Sequence, residues 1–218
     1  MNNKLLSLKP LVLAAMLLLS ATAAQAGITF YTSQSAFNAA ISAPGVDTFD
    51  DLSVMRYTSP MSRTAGAYSY TVSSVNDLYG AGLPGDHWLS NNNLLDPIVF
   101  SGFSGGVTAF GGNFFGSDIN GMYMPNTSVT LLALDGYGNS ISYTINNTTM
   151  NSFLGFVFDS PLASVTLTSG GTYWPTANNL TLGVTEVPAN VPEPGTFSLL
   201  LGGVAALGYA ARRRRMVR

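Results

Sequence analysis

The chain has 218 residues, only 9% of them charged, no cysteine and a formal net charge of −2. Without a single thiol, disulfides, thiolate nucleophiles and cysteine-based metal centres are excluded. The charge is unevenly placed: residues 27–190 hold Arg56 and Arg63 against ten acids and carry −8, which argues against nucleic acid as a partner because its phosphates need Lys/Arg neutralisation.

At the N-terminus, Lys4 and Lys9 precede an apolar run over 11–19 and the small-x-small sequence Ala24-Gln25-Ala26. The run is shorter than the roughly 20 residues a membrane span needs, so residues 1–26 read as a signal peptide cleaved before Gly27. Ser33 then predicts the N-cap of a short helix over 34–42. Ala36, Phe37, Ala40 and Ile41 would share one face of it, and Pro44-Gly45 would end it.

Strand signals follow over 46–50, 67–73, 97–103, 106–116, 127–134, 140–146, 153–158, 163–169 and 178–184. Val129, Leu131 and Ala133 alternate with Thr130, Leu132 and Leu134, and the turn sequence DGYGN predicts a hairpin between 127–134 and 140–146. Val165 and Leu167 alternate with Ser164, Thr166 and Thr168 in the same manner. Many short strands between turn signals predict an all-β domain over 27–185, a two-sheet antiparallel sandwich or jelly roll with one short N-terminal helix.

Residues 186–195, EVPANVPEPG, hold three prolines and read as an extended linker. The next sixteen residues, 196–211, are uncharged and mostly apolar, as expected of a C-terminal transmembrane helix. Arg212, Arg213, Arg214 and Arg215 then hold the tail 212–218 in the cytoplasm. Pro192-Glu193-Pro194, a short apolar segment and a terminal arginine cluster, in that order, resemble the PEP-CTERM sorting signal of exported proteins of Gram-negative bacteria. The resemblance implies passage through the inner membrane, transient anchoring there by 196–211, and recognition of the motif by an exosortase-type processing enzyme. It also implies a final place at the cell surface or in the extracellular matrix. The body is similar to PEP-CTERM ectodomains through SAFNAA, TFDDL, GDHWLS, AFGGNFFG, FLGFVFDSPLASVTLTS and NNLTLG, a likeness that supports the sandwich and supplies no activity.

Three groups of residues carry chemistry. Asp50 and Asp51, with Asn178, resemble the paired first- and last-strand ligands that hold a structural Ca²⁺ in jelly-roll carbohydrate-binding modules; oxygen donors of this kind suit the ion. The alternative is that the acids cap a turn and Asn178 opens a strand. Asp86 and His87 place a carboxylate beside the only histidine, but neighbours on a strand point to opposite faces. Tyr173 and Trp174, with Tyr137 and Tyr123 in other Gly/Asn-rich loops, could form an aromatic platform for sugar C–H faces. The glycine-rich stretch 104–116 lacks the Lys-Ser/Thr of a phosphate loop. The expectation is a non-enzymatic exported envelope or matrix protein without catalytic residues. A carbohydrate-binding module acting on extracellular polysaccharide is the alternative, and a hydrolase built on Asp86 and His87 comes third.

Overall fold

A computed structural model describes residues 27–186. The signal peptide expected over 1–26, the Pro192-Glu193-Pro194 motif, the transmembrane helix expected over 196–211 and Arg212–Arg215 lie outside the described residues. The chain divides into two compact units, Met1–Thr185 and Glu186–Arg218.

The described residues form two antiparallel sheets. The larger runs β1 (Ile28–Tyr31), β13 (Phe153–Phe158), β9 (Ala109–Ser117), β15 (Trp174–Thr185), β7 (Asp86–Asn91), β6 (Leu78–Leu83) and β3 (Met55–Tyr57). In it, β10 (Tyr123–Met124) pairs with β9, and β2 (Ile41–Asp47) pairs with β15. The smaller runs β12 (Ser140–Ile145), β11 (Val129–Asp135), β14 (Leu162–Thr168), β8 (Ile98–Ser101), β5 (Tyr68–Ser73) and β4 (Met61–Ala65). Hairpin neighbours such as β6–β7, β4–β5 and β11–β12 lie side by side, while β15 runs between β9 and β7, so distant segments also meet.

Alternation decides the inner faces. Val129, Leu131 and Ala133 are buried while Thr130, Leu132 and Leu134 are not. They join Val165 and Leu167 on β14, and Phe110, Phe114, Phe156 and Leu180 of the larger sheet, in one apolar core. The predicted hairpin forms in register, with Leu131 opposite Tyr143.

The larger sheet is covered on its outer face too. Every residue of β9 is buried, and so is every residue of β13. At one end the cover is the helix α1 (Gln34–Ala39), whose Phe37 packs with Ile41, Ala109, Phe153 and Val157. Gly155 lies directly beneath it: a Cβ there would meet the Phe37 ring at 2.4 Å. A second cluster on this face joins Trp88, Phe115 and Ala81, with Tyr79 and Tyr123 packed against it, and Gly121, between β9 and β10, bonds Trp88 and lies against Ala81.

The helix is capped by Ser33 as predicted, but it stops at Ala39 rather than at residue 42. Ile41 opens β2 opposite Thr185. A β-branched side chain here gains a ladder partner and still reaches the Phe37 cluster, so strand wins over helix. Pro44-Gly45 therefore lies inside β2 and does not end the helix. The strand pairs only with β15, which leaves a side where the missing proline N–H costs nothing.

Candidate functional site

The strand order β9–β15–β7–β6 assembles a cleft on the outer face of the larger sheet. Trp174 stands opposite Ser117, and Tyr79 opposite Ser90. These four residues, with Asn91, Asn92, Asp118, Ile119 and Gly121, line a space of about 230 Å³.

One wall is the segment that leaves β9. Asp118 Oδ1 accepts hydrogen bonds from the backbone N–H groups of Asn120 at 2.8 Å and Met122 at 2.9 Å. The Trp88 indole N–H donates to the Gly121 carbonyl at 3.0 Å. Trp88 itself meets Phe115 edge-on, with ring centroids 5.4 Å apart. Gly121 adopts φ +75 and lies so close to Ala81 that a Cβ would come within 2.6 Å of it. The wall is therefore fixed before any ligand arrives.

The floor is internally satisfied. Ser90 Oγ donates to the Pro175 carbonyl at 3.0 Å, and Ser117 Oγ bonds Thr176 Oγ1 at 2.8 Å. Around this floor, the Tyr79 hydroxyl, the Asn92 amide, Asp118 Oδ2 and the Trp174 indole N–H make no hydrogen bond among the described residues. Two half-buried aromatic residues, Tyr79 and Trp174, and two polar ones, Asn92 and Asp118, thus line a shared concavity.

A second, wider cavity of about 470 Å³ lies between β2 and β4 and is lined by Asp47, Asp51, Arg63 and neighbours. Its charges satisfy one another. Arg63 donates from Nε and Nη2 to Asp47, and from Nη1 and Nη2 to Asp51. Burial by itself would lower the Arg63 pKa, but the hydrogen bonds it donates to both carboxylates raise it. The guanidinium in turn lowers the pKa of Asp51. Tyr70 donates its hydroxyl to Asp47 at 2.7 Å, and burial pushes its phenol up.

The residues singled out from the sequence divide between two hydrogen-bond networks. Asp51 turns to Arg63. Asp50 instead accepts the backbone N–H of His87 at 3.1 Å. Asn178 donates from Nδ2 to Asp86 at 3.1 Å, and its Oδ1 accepts the N–H of Asn179 at 2.8 Å. Asp50 and Asn178 thus meet successive residues of β7, while Asp51 belongs to another network. Among the described residues, no group of three or more His, Cys, Asp or Glu side chains is arranged to hold a metal ion.

The aromatic platform is likewise divided. Trp174 lines the cleft. Tyr173 packs against the core, and its hydroxyl bonds the backbone N–H and carbonyl of Ser128. Tyr137 is 80% exposed at the turn after β11, about 20 Å along the strand from Ser128 at 3.3 Å per residue. Tyr123 donates to the Thr148 carbonyl at 2.9 Å and packs against Phe115. Tyr79, Asn92 and Asp118 were not singled out from the sequence; the signals present were the Asn91-Asn92-Asn93 run and the Asp118 turn.

No curated protein matches the chain. Among solved structures, TmCBM61 in complex with beta-1,4-galactotriose is similar over 52% of this chain and 86% of that one, at 13% identity and a TM-score of 0.29. The PEP-CTERM protein-sorting motif model matches residues 190–215, spanning the Pro192-Glu193-Pro194 motif, the apolar segment and the arginine cluster. The C-terminal segment of this chain is a PEP-CTERM protein-sorting motif, the mark of an exported protein handled by an exosortase.

Proposed function

We propose that this protein is a non-enzymatic component of the cell envelope or extracellular matrix, delivered by its tail. The observation that carries the reading is the sorting motif at 190–215, which follows a self-contained two-sheet unit. In this account residues 196–211 hold an intermediate in the inner membrane, Arg212–Arg215 keep the C-terminus inside, and the processing enzyme reads Pro192-Glu193-Pro194. The lack of an enzymatic role is supported by the lone histidine: His87 and Asp86 are consecutive on β7, and Asp86 is hydrogen-bonded to Asn178. Deleting residues 196–218 should release the folded domain into the periplasm. Continued membrane retention of that variant would contradict the delivery scheme.

A second reading is favoured by the Trp174 cleft. A half-buried indole beside free amide and carboxylate groups suits extracellular polysaccharide, whose rings are apolar on their faces and polar at their edges. Pull-down of the full chain by purified exopolysaccharide tests this reading; failure to bind any such polymer removes it.

A further inference from the structure

The second reading can be taken to a ligand class, on which it then rests or falls separately. The four polar heads around the cleft differ in hydrogen-bonding character. Asp118 Oδ2 only accepts, the Trp174 indole N–H only donates, and Asn92 and the Tyr79 hydroxyl do both. Sugar hydroxyls also donate and accept at once, so adjacent hydroxyls on one ring can satisfy such a mixed set. A wholly apolar ligand would cover the Asp118 carboxylate without giving it a partner, which is costly. An anionic ligand would meet that carboxylate within a domain of net charge −8. Among the described residues, Arg56 stands opposite Tyr79 in the β3–β6 ladder, and it is already paired with Asp77 through a salt bridge.

Size narrows the class. At about 230 Å³ the cleft is smaller than the roughly 300–1,000 Å³ of sites for drug-sized molecules. One ring fits; a folded oligomer does not. The hydrogen-bonded wall at residues 118–121 lowers the ordering cost that opposes binding.

We propose that Tyr79, Asn92, Asp118 and Trp174 form a subsite for a single neutral pyranose unit of an extracellular polysaccharide. The test uses the full chain in detergent and its own fluorescence. The chain has two tryptophans; Trp88 is 1% exposed and reports the fold, whereas Trp174 lines the cleft. The probes are neutral gluco-, galacto- and manno-oligosaccharides, with oligogalacturonate of the same length as the anionic comparison. At least one neutral probe should change Trp174 emission saturably and bind at least about tenfold more tightly than oligogalacturonate. Asn92→Ala and Trp174→Ala should each weaken binding by about tenfold or more, with Trp174→Phe intermediate. Asn92 is exposed, so its variant carries the test if Trp174→Ala fails to fold. Absence of binding to every neutral probe overturns the subsite, as does equal binding of the uronate or wild-type affinity in Asn92→Ala. If the Asn92 and Trp174 variants still retain purified exopolysaccharide, the subsite falls and the polysaccharide reading survives. If the wild type retains none, both fall.

Discussion

Arg63 grips Asp47 through two parallel hydrogen bonds, Nε to Oδ2 at 2.9 Å and Nη2 to Oδ1 at 2.6 Å. The two residues belong to different sheets: Asp47 ends β2, beside β15, and Arg63 lies on β4, at the edge of the smaller sheet. The pair therefore closes one side of the sandwich. Both side chains are shielded, at 10% and 3% exposure, and the guanidinium also sits 5.2 Å from the Phe49 ring centroid. The second carboxylate, Asp51, is exposed and adds geometry more than energy.

Removing one partner of this pair should be far worse than replacing both. Arg63→Met leaves the Asp47 carboxylate buried without its cation and should destabilise the domain by about 3–5 kcal/mol. Arg63→Met combined with Asp47→Leu should recover most of that loss, because apolar replacements of buried ion pairs are often neutral. Urea unfolding of the two variants checks the contrast; equal losses would show that the pair acts through shape alone.

Asp135 supplies a pH dependence. It is buried at the end of β11, where Ser160 Oγ, the N–H groups of Tyr137 and Asn139, and Asn139 Nδ2 all donate to it. The Ser160 hydrogen bond is the main cause that lowers its pKa to about 2. A depressed carboxylate pKa stabilises the fold above the unfolded value of about 3.9, and that stability is lost as pH falls towards 2. Asp135→Asn should therefore melt below wild type at pH 7, and the gap should close as pH drops from about 4 to 2. Parallel curves across that window would contradict the assignment.

The contact between α1 and β13 should be intolerant of small changes. Phe37→Ala removes a fully buried ring and should cost about 3–5 kcal/mol. Gly155→Ala adds a methyl that would lie 2.4 Å from that ring, so it should also lower the melting temperature. In Phe37→Ala the added methyl has room, so the double variant should be less destabilised than the sum of the two. Strict additivity in a thermal-melt cycle would show that the glycine is not placed there for Phe37.

These contacts also show where sequence reasoning reaches and where it stops. The strand 153–158 and the β11–β12 hairpin were legible because apolar residues and turn chemistry agreed locally. The β6–β7 hairpin carries an equally local signal, Pro84-Gly85 joining paired Leu83 and Asp86 with Gly85 at φ +85. The short edge strands β1, β3 and β4 have too few residues for a period to show. Asp50 and Asp51 are adjacent, and nothing local says that one will face β7 and the other Arg63. The cleft is harder still: Trp174 shares a cavity with Tyr79, Asn92 and Asp118 only because β15 runs between β9 and β7, an order that belongs to the sheet and not to any segment of the chain.

Processing at Gly27 should be felt in the fold. Gly27 N lies 2.7 Å from Asp159 Oδ2, and Asp159 N–H donates back to the Gly27 carbonyl at 3.2 Å. Cleavage before Gly27 would turn that amide into an ammonium facing a carboxylate. Asp159→Asn should then lower the melting temperature of the processed protein more than that of the uncleaved precursor. Equal effects in the two forms would mean that the contact is indifferent to processing.

The central claim, delivery by the tail, is tested most directly by replacing Pro192, Glu193 and Pro194 with alanine and following the protein with an antibody to the β domain. The account predicts normal membrane insertion, because 196–211 and the arginines are untouched, but no maturation: full-length protein should accumulate in the inner membrane while wild type reaches the surface fraction. Wild-type processing and delivery of the triple-alanine protein would contradict the account and reduce the tail to an anchor.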